Sequence, residues 1–363
     1  MKWNEELKYN ITRAEELTSL LGLSEEQCIR MNGILERFPM TVTRYYLSLI
    51  DKENPGEDPI CKMCIPSISE TDLSGAFDTS GEADNTVLPG MQHKYRQTAL
   101  ILSTHRCAMY CRHCFRKRLV GISDDETADN IEEMAAYVAK HREISNILIS
   151  GGDSFLNTNE TIERYLQLFS GIEHLDLIRF GTRTPVVLPS RIYEDPELLA
   201  LLKQYTDKKQ IYVITQFNHP KELTAEARRA VRELMAAGVV VRNQTVLLKG
   251  INDNSETMGS LLKMLTACGI IPYYIFQCRP VSGVKGQFQV PLKDGYRIIE
   301  GARHMQNGQG KSVRYCMSHV SGKIEILGVL PDGQMLFKYH QAKNGADLGR
   351  IFTAPAEEGQ AWL

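Results

Sequence analysis

No apolar run in this chain approaches the roughly 20 residues that a helix needs to cross a bilayer. No charge of either sign is in excess either: 42 Lys and Arg stand against 44 Asp and Glu, a formal net charge of −2. The first absence leaves no membrane partner to be expected. The second removes the general electrostatic warrant for nucleic acid, so none is expected as a partner. The opening MKWNEELKYN is polar and offers no apolar segment for a secretory leader; cytoplasmic retention is the expectation. Nor do the cysteines pair off. Nine are spread over 363 residues, an odd number in a chain long enough to build its core without staples. Metal ligation or plain burial is therefore the reading for each.

What is present is a β/α alternation. Apolar, β-rich runs recur at 98–104 (TALILST), 146–150 (NILIS), 175–181 (LDLIRFG), 210–216 (QIYVITQ), 239–248 (VVVRNQTVLL) and 272–278 (PYYIFQC). Helical patterns lie between them, at about 125–141, 160–169, 196–204, 224–237 and 255–268. Near-continuous apolar strands separated by helices predict a parallel sheet clothed in helices. Six such strands fall short of the eight of a closed barrel, leaving an open partial barrel or a doubly wound sheet. Residues 1–90 read as short helices and loops, with capping boxes at Thr12/Glu15 and Ser24/Gln27, a helix start after Pro39, and a Pro-, Asp-, Ser- and Gly-rich loop from 53 to 89. The expected division is 1–90, a core at 91–304, and a C-terminal segment at 305–363 that covers the barrel or mediates subunit contact in a homo-oligomer.

In parallel α/β sheets the ligand crevice lies beyond the carboxyl ends of the strands. The loop after the first strand is CAMYCRHC, residues 107–114. Its thiols Cys107, Cys111 and Cys114 have the spacing C-x3-C-x2-C. Zinc takes four protein ligands when structural and three when catalytic; a cubane iron–sulfur cluster held by three thiolates would keep one iron open. Spacing alone leaves iron–sulfur, zinc and buried or reactive thiols all standing. Arg112 lies within the motif and Arg116, Lys117 and Arg118 follow it at once; all four are expected to stabilise thiolates and anionic ligands. Gly151-Gly152-Asp153, Thr182-Arg183, Asn218-His219 and Arg279 end later strands and should converge on the same rim.

The string CAMYCRHCFRKRLVG, with GGDSFL (151–156), FGTRTPVVLPSR (180–191), QFNHPKELT (216–224), NQTVLLKGIND (243–253) and PYYIFQC, resembles the lysine 2,3-aminomutase group of the radical S-adenosylmethionine enzymes. The resemblance implies a partial (β/α)6 barrel with an N-terminal helical region and a short C-terminal extension. It implies a [4Fe–4S] cluster on Cys107, Cys111 and Cys114, S-adenosylmethionine on its open iron, and a 5′-deoxyadenosyl radical that abstracts a substrate hydrogen. An external electron donor such as flavodoxin or ferredoxin goes with that chemistry. Gly151, Gly152 and Asp153 match the stretch that meets the methionine moiety; glycines admit a ligand to the backbone and a carboxylate can accept from an ammonium. Tyr110 is a candidate cover for the adenine, and Gln244, Asn218 and His219 are rim candidates.

Members of this group also use pyridoxal phosphate, bound as an aldimine to a lysine that falls here, in YCMSHVSGKIEIL, at Lys323. The glycine run that precedes that lysine in the family is broken, with His319, Val320 and Ser321 in its place. Of the phosphate-contacting arginine pair, Lys94 and Thr98 occupy the two positions, with Arg96 as the candidate substitute and Ser321 as a polar contact. Arg116 matches the arginine that clamps the substrate α-carboxylate. The two aspartates that hold a lysine ammonium are replaced by Arg279 and Cys316. A buried ammonium facing Arg279 would lack a counter-charge, whereas a second carboxylate would pair with it. The expectation is an aminomutase of an acidic amino acid, with L-glutamate leading. The alternatives are a radical enzyme of the same family without pyridoxal phosphate, acting on another small molecule, and an enzyme that modifies a translation factor. Cys61 and Cys64 form a lone CxxC, read as solvent-exposed or packed thiols rather than a second metal site.

Overall fold

The computed structural model describes residues 3–363. They build one twelve-stranded sheet in which every strand lies beside its neighbours in sequence. The strands are β1 Thr86–Leu88, β2 Met91–Tyr95, β3 Thr98–Leu102, β4 Asn146–Ser150, β5 Leu177–Gly181, β6 Gln210–Thr215, β7 Val240–Leu247, β8 Ile271–Gln277, β9 Arg314–His319, β10 Gly322–Val329, β11 Met335–Ala342 and β12 Ile351–Ala354. From β3 to β9 neighbouring strands run parallel. The pairs at both flanks are antiparallel.

Each of the first five crossovers is a helix whose start the sequence dictates. Helices Ile131–Lys140, Asn159–Ser170, Pro196–Thr206, Ala225–Ala236 and Ser255–Ala267 are preceded by Asn130, Thr158, Asp195, Thr224 and Asn254. Each of these side chains accepts from the third backbone N–H of its helix, which satisfies one of the free donors there. The helix Ala225–Ala236 shows the packing rule: Ala227, Ala230, Val231 and Leu234 are buried, the i, i+3, i+4, i+7 stripe of a helix lying on a sheet. In β7 the alternation is complete. Val241, Asn243, Thr245 and Leu247 are buried, while Gln244 and Val246 line a central cavity. The sheet thus curves as a partial barrel, with helices outside and a lumen within.

The six expected strands of the core and their five helices form, although the first helix starts at Ile131 behind its Asn130 cap rather than near 125. The first capping box is shifted by one residue: Glu16, not Glu15, accepts from the backbone of Thr12 and Arg13, while Ser24 and Gln27 cap each other as expected. Sequence reading does not find the hairpin β1–β2, the helix Leu292–His304 or the extension of the sheet through β9–β12. Among the described residues no helix is long and apolar enough to cross a membrane.

Candidate active site

The loop after β3 carries all three thiols of the CAMYCRHC motif into a cavity of ≈ 450 Å³ that the sheet encloses. Backbone contacts fix its course. Tyr110 N donates to Thr41 O at 3.0 Å and Arg112 N to Met63 O at 2.9 Å, so the N-terminal region forms its outer wall. The turn after β4 forms its inner wall, with Gly152 N donating to Thr104 O at 2.5 Å and Asp153 N to Arg106 O at 2.7 Å. Only glycine allows that approach, since a Cβ on Gly152 would lie 2.2 Å from the Arg106 carbonyl oxygen.

The basic run beside the thiols is paired with acids from the N-terminal region, while Arg116 and Lys117 still favour the Cys114 thiolate, as expected. Arg112 is fully buried, with Nε donating to Glu70 Oε1 at 2.9 Å and its Nη atoms to the carbonyls of Pro39 and Phe38. Lys117 Nζ reaches the same Glu70 at 2.6 Å. Arg116 (Nε 3.0 Å, Nη2 2.9 Å) and Arg118 (2.8 Å) both bind Glu82. Burial opposes ionisation of Glu82, but these guanidiniums, with Arg279 nearby, hold its carboxyl down at about 2, from the usual 4.5. The cation that does meet a thiol comes from the end of β5: Arg183 Nη1 donates to Cys111 Sγ at 2.8 Å.

Three thiols line one cavity, a donor set that fits a cubane held by three thiolates with one iron left open. Among the described residues no three His, Cys, Asp or Glu side chains gather closely enough to hold one metal ion. Burial pushes the Cys107 thiol well above its ordinary value and that of Cys114 to about 11, so thiolates form there only with a cationic partner such as a cluster's irons.

The other expected residues divide. Gly151, Gly152, Asp153, Gln244, Lys94, Arg116, Arg279 and Lys323 line the cavity with the thiols. Asp153 is already engaged, which leaves it little capacity for a ligand ammonium. Its Oδ1 accepts from Thr182 Oγ1 (2.6 Å) and Phe155 N (3.0 Å), and its Oδ2 from Arg183 N (2.7 Å). Arg279 donates to two hydroxyls, Ser80 Oγ at 2.7 Å and Ser318 Oγ at 2.8 Å, and lies 4.1 Å above the Phe115 ring. Among the described residues it has no carboxylate partner. Lys323 Nζ sits 4.1 Å from the centre of the Tyr274 ring. Burial first, with Arg179, Arg279 and Lys94 nearby, brings its amine down to about 8.

The rest stand outside the lumen. Arg96 is exposed on the β2–β3 turn and is not placed to substitute for a cavity cation. Ser321 bonds to His319 Nδ1 (2.7 Å) and Tyr339 OH (2.9 Å). Cys316 is fully buried in β9; two residues on, Ser318 is the β9 side chain that reaches the cavity. Tyr110 packs its ring against Gly121. Asn218 is buried as a strand tie, accepting from Val246 N at 2.9 Å, and His219 caps a short turn. Cys61 and Cys64 are free and buried.

The sequence that builds this site is matched in other proteins. The model of the radical SAM superfamily matches residues 101–262. An L-lysine 2,3-aminomutase of Fusobacterium nucleatum is 41% identical over 84% of this chain and 71% of its own length. The chain belongs to the lysine 2,3-aminomutase family of radical SAM enzymes. A provisionally named L-lysine 2,3-aminomutase of Aquifex aeolicus is 38% identical over 98% of this chain and 94% of its own. A glutamate 2,3-aminomutase of Clostridioides difficile is 35% identical over 85% and 71%.

Sequence reading of this family member misses Glu82 and Glu70, which lie in or beside the polar loop, and Arg179 in mid-strand. It also misses His113, between two of the thiols and lining the cavity. Burial drives His113 well below its ordinary value, so it stands there as a neutral imidazole. The position of His113 inside the motif is the one signal that could have flagged it.

Two outcomes are expected. Gly152→Ala should cost about 1–3 kcal/mol through backbone overpacking and lower iron retention, measured by denaturant titration and metal analysis of anaerobically reconstituted protein. Glu82→Gln should cost about 3 kcal/mol near neutral pH, because a folded-state carboxyl held below its unfolded value adds stability above that value and loses it as pH falls. The native protein should therefore weaken between pH 4.5 and about 2 in a step that the variant lacks.

Proposed function

We propose that this protein is a 2,3-aminomutase of an acidic amino acid, with L-glutamate as its leading substrate. The observation that carries this reading is Arg279, a lumen guanidinium partnered by hydroxyls alone. The two carboxylates lining the cavity are Glu82 and Asp153, and both are held by other groups. A substrate ammonium at this end would meet cations without a free acid and lose several kcal/mol, of order 3–5. A carboxylate there would gain a charge-assisted pair on a preset fork. The glutamate-named relative is compatible with this, although most of the relatives carry lysine names.

Cys107, Cys111 and Cys114 would hold the cluster, and Gly151 and Gly152 would admit S-adenosylmethionine to the backbone. Lys323 would attach pyridoxal phosphate. When bound, these groups supply a carbon-centred radical and an electron sink for the migrating nitrogen. The chain's own part is placement. Arg116, with Glu82 on its Nε side, keeps an Nη1 edge whose protein contact is Gly151 O at 3.4 Å, and that edge would take the α-carboxylate. Arg279 would take the distal one. Lys323, with its amine near 8 and no acid partner, is a competent nucleophile close to neutral pH. The exposure of Arg96 and the outward Ser321 favour a second reading, in which the same lumen runs radical chemistry without pyridoxal phosphate.

Reconstituted protein given L-glutamate should release β-glutamate and give no β-lysine from L-lysine, read by chromatography of the amino products. Arg279→Leu should lower kcat/KM for glutamate by about 100-fold. Turnover of lysine alone would overturn the substrate assignment. Borohydride treatment should fix pyridoxal phosphate at Lys323 in peptide mass maps and not in Lys323→Ala; failure to fix it in cluster-loaded protein would favour the second reading.

A further inference from the structure

The floor of the lumen, at the amino ends of β3, β4 and β5, holds a cation that the chemistry above leaves unused. Thr98 opens β3 and pairs in register with Asn146, which opens β4. Arg179 lies in β5 opposite Leu148. Thr98, Asn146 and Arg179 all line the same cavity as the thiols and Lys323. Arg179 Nη2 donates to Asn146 Oδ1 at 2.5 Å, and Asn146 Nδ2 donates to Thr98 Oγ1 at 3.2 Å and to Gln97 O at 2.8 Å. The Thr98 hydroxyl donates back to Asn146 Oδ1 only at 3.4 Å, a long bond that a charged acceptor in the lumen would replace. The Arg179 Nε is buried and has no partner, and the guanidinium pairs with no carboxylate among the described residues.

A guanidinium has five N–H donors and no acceptor. Enclosing it with one neutral partner leaves an uncompensated charge, which is costly unless an anion arrives with the ligand. No other group on the floor supplies that anion. Glu82 and Asp153 are held at the rim. Lys94, the other cation that lines the cavity from β2, is tied to the carbonyls of Ser80 (3.1 Å) and His319 (2.8 Å). Behind Arg179, Arg242 lies against the Tyr273 ring at 4.8 Å, adding positive charge.

We propose that Arg179, Asn146 and Thr98 form an anion subsite on the lumen floor for the phosphate monoester of a ligand whose carbonyl carbon reaches Lys323. The identity of that ligand as pyridoxal phosphate rests on the function proposed above; the subsite itself does not. A monoester suits the donors better than a carboxylate does. Its three oxygens can meet the Arg179 Nε and Nη1 edges together with the Thr98 hydroxyl, and its second charge answers the positive charge that Arg242 adds. Asn146 is a positioning residue that holds the guanidinium at the floor.

The test measures dissociation constants of pyridoxal phosphate, pyridoxal and inorganic phosphate for reconstituted wild type, Arg179→Gln, Arg179→Lys and Thr98→Val, with melting curves to show that each is folded. Wild type should prefer pyridoxal phosphate to pyridoxal by about ten-fold or more, the worth of one charge-assisted contact. Arg179→Gln should lose that preference while binding pyridoxal as before, with Arg179→Lys in between and Thr98→Val weakened less. A preference unchanged in both Arg179→Gln and Thr98→Val overturns the subsite and leaves the Lys323 assignment standing. If wild type takes neither aldehyde but binds inorganic phosphate through Arg179, the pyridoxal phosphate reading falls and the subsite stands. Wild type that retains none of the three overturns both.

Discussion

Arg183 is a cation with nowhere to go but into the protein. It follows β5, and its guanidinium is surrounded by the Gln216 carbonyl, the Cys111 sulfur, the Tyr46 hydroxyl and the Glu222 carboxylate, at 3.0, 2.8, 3.3 and 2.5 Å. Its backbone N–H is bound to Asp153. A buried guanidinium is tolerable only when its donors are saturated. Saturating the side chain fixes the end of β6, the cysteine loop, the N-terminal region and the Glu222 turn relative to one another, and the backbone N–H adds the β4 turn. Glu222 needs its own donors. Tyr46 OH and the backbone N–H groups of Asn218 and His219 supply them. Asn218 and His219 therefore shape the rim from below it, through Glu222 and Arg183, rather than by touching the lumen.

Charge in the lumen follows from where the acids are used. Glu70 and Glu82 belong to the N-terminal region, and each binds two cations from within or just after the cysteine motif. These contacts hold the outer wall of the cavity to the motif loop. They also remove from the lumen the negative charge that an ammonium substrate would require. Arg279, Arg179 and Lys323 are left facing it with hydroxyls, an amide and aromatic rings as partners. The same pairings that hold the wall to the motif loop thus leave these lumen cations without a carboxylate partner among the described residues.

Legibility in the sequence tracks the range of the interaction. Apolar strand runs and Ser, Thr, Asp or Asn caps are local signals, and the six core strands with their five crossover helices could be read from them. The thiols, Gly151 and Gly152 were legible because a motif fixes them within one loop or turn. Residues whose role depends on a distant partner were not. Glu82 looks like a polar loop residue until Arg116 and Arg118 are brought to it. Arg179 looks like a strand interruption until the curvature of the sheet turns it inward. Arg96 looked able to stand in for a cavity cation on proximity in sequence alone, yet the tight β2–β3 turn directs it to solvent. The strands β9–β12 were missed because they mix charged and apolar residues, as in Lys323-Ile324-Glu325-Ile326, and no crossover helix announces them.

That mixture has a structural reason. In β10 Ile324 and Ile326 are buried, while Lys323 faces the lumen; a strand with one face on a polar cavity cannot be uniformly apolar. The antiparallel flanks contribute Lys94 from β2, Lys323 from β10 and Gln341 from β11 to the cavity, whereas the thiols and glycines come from loops on the parallel core. The two ends of the lumen therefore answer to different parts of the chain. Substitution in a flank, or at Arg279 beyond β8, can alter what is bound at the far end without disturbing the Arg183 network that holds the cysteine loop. The cysteine loop and the far end of the lumen are thus positioned by separate sets of contacts, the first by Arg183 and its partners and the second by Arg279 with Ser80 and Ser318.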